Sequence, residues 1–85
     1  MEKRWSDNAW EEYLYWQLID KDMLQKINEL LKSIEREGPM KGIGKPEALR
    51  SRNGYSRRIT KEHRLIYNVK NGALIIYSCK GHYED

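Results

Sequence analysis

The sequence predicts an α+β fold: two N-terminal helices packed on a small, mainly antiparallel sheet. Three observations predict it. Apolar residues recur at helical spacing through residues 6–37, and alternation of side-chain type takes over from residue 55. Between them, residues 38–48 form a stretch punctuated by glycine and proline. At 85 residues the chain has room for one domain, 1–85, with an aromatic-rich core led by Trp5, Trp10 and Trp16.

The elements follow in order. Lys3–Trp5 is a short strand candidate. Ser6 suits a helix N-cap, and Trp5 and Trp10 on either side of it have the spacing of a hydrophobic staple. Asp7, Glu11 and Glu12 favour the positive end of that first helix. Trp10, Tyr13, Leu14 and Gln17 trace one face; Tyr15, Trp16 and Leu18 widen the apolar arc and predict burial on more than one side. Asp20 caps a second helix from Lys21 to about Arg36. Its stripe is Met23/Leu24, Ile27, Leu30/Leu31 and Ile34, and Gly38-Pro39 stops it.

The second half predicts three strands, which with Lys3–Trp5 make a sheet of three or four. Tyr55, Arg57 and Ile59 share one side of a strand; Ser56, Arg58 and Thr60 share the other. A two-residue turn at Lys61-Glu62 puts Arg58 opposite Leu65 and Ile59 opposite Arg64. Arg58 and Arg64 then lie on different faces unless a bulge near the turn intervenes. Asn71-Gly72 is a hairpin signal, and Ala73–Cys79 is apolar on both parities, as an interior strand would be.

Charge divides unevenly. Residues 1–37 hold six Lys/Arg against nine Asp/Glu, and residues 38–85 hold ten against four. A polyanion would meet a focused positive surface in the second half if folding gathers those groups. No apolar run approaches the roughly 18 residues of a spanning helix. The N-terminus lacks the long apolar stretch of a signal peptide. A soluble, cytoplasmic protein without membrane association is expected. The lone Cys79 offers neither a disulfide nor a metal cluster, and two separated histidines are a weak metal signal, so no metal and no cofactor are expected. The loop Gly42-Ile43-Gly44-Lys45-Pro46 lacks the spacing of a nucleotide-binding P-loop, and Pro46 stands where Ser or Thr would follow the lysine.

The residues that carry chemistry are Glu47, the arginines 50, 57, 58 and 64, and His82 with Tyr83. RNA brings its own nucleophile, the 2′-OH. Cleavage needs a base for that proton, an acid for the departing 5′ oxygen and cations for the phosphate. Glu47, His82 and Arg64 are of the types those roles require. On the residues alone, metal-independent cleavage and a non-enzymatic RNA- or ribosome-binding module that blocks translation both stay open.

Several ordered motifs resemble the YoeB/Txe family of bacterial toxins across nearly the whole chain. They are Trp5-Ser6, Trp10 and Tyr13-Leu14-Tyr15-Trp16-Gln17 in the first helix, and Lys26-Ile27-Asn28-Glu29-Leu30 in the second. Gly44-Lys45-Pro46-Glu47 lies at the centre of the loop. Ser56-Arg57-Arg58-Ile59-Thr60, Glu62-His63-Arg64-Leu65 and Tyr67 match the hairpin, and His82-Tyr83 the terminal pair. The resemblance implies a RelE-like, microbial-ribonuclease-type fold and a ribosome-dependent mRNA interferase that cuts mRNA in the ribosomal A site. It also implies neutralisation by a cognate antitoxin protein, and a homodimer.

Carried over by residue, Glu47 resembles the general base, Arg64 the phosphate-stabilising arginine, His82 the general acid and Tyr83 a residue orienting RNA or leaving group. Arg58 matches another active-site arginine. Lys45, Arg50, Tyr55 and Arg57 complete the expected RNA-binding set. The chain departs from the pattern in having Arg50 for the usual lysine, Tyr55 for a tryptophan, a shorter stretch between Arg50 and Ser56, and Glu84-Asp85 beyond the terminal pair.

Overall fold

In the computed structural model, which describes residues 1–82, strand β1 (Glu2–Trp5) leads through Ser6 into helix α1 (Asp7–Ile19). Ser6 Oγ accepts from Ala9 N at 2.9 Å, which satisfies one of the free donors of the first turn. Trp5 and Trp10 meet edge to face at 5.9 Å, forming the expected staple. Asp20 then closes one helix and opens the next: its N–H donates to Trp16 O, and its carboxylate accepts from Asp22 N and Met23 N at the start of α2 (Lys21–Glu37). Gly38, at φ 97°, ends α2.

The two helices differ in how they use their apolar residues. In α2 the predicted stripe is the core face, with Met23, Ile27, Leu30, Leu31 and Ile34 buried. In α1 only Ala9 and Trp16 are buried, while Trp10, Leu14, Tyr15 and Leu18 are exposed, Leu18 by 84%. This corrects the expectation of burial on more than one side. The apolar residues of α1 run around its circumference, and the fold packs only one flank of it, so no rotation of the helix covers them all.

The sheet has five strands in the order β1-β5-β4-β3-β2, adding β2 (Glu47–Ala48), β3 (Tyr55–Arg58), β4 (Arg64–Lys70) and β5 (Ala73–Ser78). β1 runs parallel to β5 and every other pairing is antiparallel. The fifth strand, β2, was not foreseen, because a two-residue pairing leaves no alternation to read. Asn71 (φ 50°) and Gly72 (φ 74°) make the β4–β5 turn with two left-handed residues, as a type I′ hairpin requires.

The β3–β4 register corrects a second expectation. Arg58 pairs with Arg64, and Arg57 with Leu65. The connection is five residues long, closed by Ile59 N and Thr60 N donating to His63 O. A one-residue change of register exchanges faces along the whole pair. Leu65, Tyr67, Leu74 and Ile76 therefore meet the helices, with Tyr55 and Val69 packed against them. Glu47, Ser56, Arg58, Arg64 and Ile66 take the other face.

Candidate functional site

The face away from the helices gathers the groups that sequence alone left scattered. Arg58 is exposed, and Arg64, half-buried, lies directly opposite it. Cross-strand partners stand roughly 5 Å apart at Cβ, and like charges there repel. Among the described residues neither side chain makes an ion pair, so an anion arriving between them would relieve that repulsion. Glu47 is exposed on the same face, opposite Ser56, which in turn pairs with Ile66. Its strand is two strand spacings from β4, about 10 Å.

Beyond β5 the tail runs beside the start of β4. Arg64 N donates to Gly81 O at 3.0 Å, and Gly81 N donates to His63 Nδ1 at 2.9 Å. His82 is the next residue, and it is exposed. Tyr83 lies outside the described residues. The β2–β3 loop overhangs the face: the Arg52 guanidinium sits 4.4 Å from the centroid of the Tyr77 ring on β5, and Arg50, in the same loop, is exposed. Lys45 is exposed beside Glu47 with φ 51°, and the preceding carbonyl, Gly44 O, accepts from Arg58 N at 2.7 Å. Loop and strand are thereby tied together where the carboxylate and the arginine pair begin.

One expected RNA contact is corrected. Arg57 is fully buried. Its Nε donates to Tyr67 Oη, Nη1 to Ser33 Oγ and Ile43 O, and Nη2 to Gly38 O and Lys41 O. The guanidinium fork pins the 38–44 loop to the sheet and has no surface to offer RNA. Tyr67 Oη passes the network on to Pro39 O at 2.6 Å. Burial raises the Tyr67 pKa, partly offset by the Arg57 hydrogen bond. Tyr55 shares the side of Arg57 and stacks on Tyr67 at 5.7 Å, half-buried against the core.

The sequence held the signals for this correction. Arg57 shares its parity with Tyr55 and Ile59, and Ser33 is a polar residue inside the apolar stripe of α2. Gly42 and Gly44 complete the arrangement. A Cβ on Gly42 would collide with Ser33 Oγ, and one on Gly44 would stand 2.6 Å from Leu30 Cδ2.

Cys79 and His63 have structural surroundings. Burial pushes the Cys79 thiol up to about 12, with the Glu12 carboxylate adding to the shift. His63 stands edge-on to Trp16 at 4.9 Å. Among the described residues no group of three or more His, Cys, Asp or Glu has the arrangement to hold a metal ion.

A family model described as the YoeB-like toxin of bacterial type II toxin–antitoxin systems matches residues 5–83. Toxin YoeB of Escherichia coli strain K12 is 51% identical over 81 residues, covering 93% of this chain and 95% of that protein. A solved YoeB dimer from Staphylococcus aureus superposes with a TM-score of 0.93 at 53% identity, covering 98% of each chain. A YoeB–YefM complex from the same organism gives 0.92 at 52%, again covering 98% of each chain.

Proposed function

The chain belongs to the YoeB-like toxins of bacterial type II toxin–antitoxin systems, and we propose that it is a ribosome-dependent endoribonuclease, a single mRNA interferase domain over 1–85. It cuts mRNA in the ribosomal A site in the cytoplasm and thereby stops translation. The observation that carries this reading is the cross-strand Arg58–Arg64 pair, flanked by Glu47 on one side and by the tail leading to His82 on the other.

The mechanism follows from that order. Glu47 takes the proton of the 2′-OH, and the oxygen attacks the adjacent phosphorus. Arg58 and Arg64 offset the charge that develops on the phosphate, with Arg50 and Lys45 guiding the strand. His82 protonates the departing 5′ oxygen, and Tyr83 orients the leaving group. The products are a 2′,3′-cyclic phosphate and a 5′-hydroxyl end. Every proton is accounted for by these side chains, so no metal or cofactor takes part in the steps.

Solved relatives suggest the partners. The Staphylococcus aureus relative forms both a dimer and a complex with YefM. We therefore read this chain as a homodimer in its free state, neutralised by a YefM-like antitoxin whose acidic segment covers the arginine face.

The test is cleavage of mRNA on purified, programmed ribosomes with both new ends mapped. His82→Ala and Glu47→Gln each lower turnover roughly 10²- to 10⁴-fold, as removal of a positioned acid or base does. Wild-type turnover by folded His82→Ala, or 5′-phosphate ends, overturns the mechanism. A toeprint at the A site with intact recovered mRNA supports the non-enzymatic module instead.

A further inference from the structure

The three residues after β5 lie outside any strand, yet their backbone is held at four points. Trp16 Nε1 donates to Cys79 O at 2.9 Å, and Cys79 N donates to Glu12 Oε1 at 2.8 Å. Two residues on, Gly81 N donates to His63 Nδ1 and Gly81 O accepts from Arg64 N. Gly81 stands at φ 89°, and a Cβ there would meet nothing within 4 Å, so glycine serves for its left-handed backbone and not for space.

Neighbours hold the His63 ring in turn. Its edge meets Trp16 at 74° between planes, and its own carbonyl closes the turn by accepting from Ile59 N and Thr60 N. The ring serves the tail as an acceptor, through Nδ1. Only the Nδ1 lone pair is used on the tail.

Building on the reading that His82 is the general acid, we propose that His63 is a positioning residue for it. Its Nδ1 grips the Gly81 N–H of the 80–81 peptide, the Arg64 N–H holds Gly81 O of the 81–82 peptide, and together they fix the two planes flanking Gly81 from which His82 departs. The same two consecutive residues, His63 and Arg64, thus aim the acid and supply a cation for the phosphate. Their adjacency keeps the two in register whatever else moves. His63 touches neither phosphate nor leaving group; it acts through the tail.

Two substitutions separate the grip from the packing. His63→Phe keeps a ring against Trp16 and removes the acceptor. His63→Asn places an amide oxygen near the position of Nδ1 and gives up most of the ring contact. Amide exchange at Gly81, followed by NMR, rises about tenfold or more in His63→Phe and stays near wild type in His63→Asn. On programmed ribosomes His63→Phe lowers kcat roughly 10- to 100-fold, the cost of a displacement of about 1 Å in a reacting group, with KM for the ribosome nearly unchanged. His63→Asn recovers most of that kcat despite its poorer packing.

Unchanged Gly81 exchange in His63→Phe overturns the grip. Wild-type kcat in a His63→Phe protein whose Gly81 amide has become exchangeable overturns the positioning role alone. Wild-type protein that protects Gly81 but cuts no mRNA overturns the functional reading, and with it the catalytic consequence of the grip.

Discussion

Arg57 is the residue on which the 38–44 loop depends. Its five hydrogen bonds run to two hydroxyls and three carbonyls drawn from α2, β4 and the 38–44 loop. A lysine in its place keeps the charge and loses the planar fork, so it cannot meet five acceptors spread around one plane. Arg57→Lys therefore destabilises the protein by about 3 kcal/mol or more, since several buried acceptors are orphaned at once. Urea unfolding followed by tryptophan fluorescence reads the loss. Arg58→Lys, on the surface one residue away, leaves the urea midpoint within error and lowers cleavage. That contrast between neighbouring arginines distinguishes the packed face from the phosphate face.

At the scale of elements, the junctions carry the specificity. Ser6 caps α1 and also donates through Oγ to Tyr77 O at 3.0 Å, tying the start of the helix to β5. Ser6→Ala costs about 1–2 kcal/mol, the loss of a cap plus one tertiary hydrogen bond, measurable as a lower urea midpoint at unchanged slope. In the β3–β4 connection the five residues 59–63 decide which arginines share a face.

For the molecule as a whole, charge and burial act in different pH ranges. The folded thiol of Cys79 is raised to about 12 from its ordinary 9.0, while the unfolded chain ionises at the ordinary value. Above that value the unfolded state has lost a proton that the folded state retains. Stability is therefore full below about pH 9 and falls as pH rises toward 12, by up to about 1.4 kcal/mol per pH unit. Tyr67 is shifted in the same direction. Cys79→Ala flattens the fall, and denaturant midpoints at pH 8 and pH 10.5 measure the difference. The same burial makes the thiol unreactive toward iodoacetamide until the protein unfolds. The exposed apolar residues of α1 remain outside this balance, since they contribute surface and not core.

Local signals in the sequence determined the two helices with their caps, the Asn71-Gly72 hairpin and the apolar final strand, because each depends on neighbours within about five residues. The family motifs also placed Glu47, Arg58, Arg64 and His82 among the residues to watch. Tertiary structure decided which of them meet. A strand has period two, so a one-residue shift of register at the 59–63 turn settles whether Arg58 and Arg64 share a face, and no local preference registers that choice. It decided equally that Arg57 is interior and that His63 holds the tail. Both roles consist of hydrogen bonds to partners ten or more residues away. Periodicity reports which side a residue takes; only the folded chain reports what waits for it there.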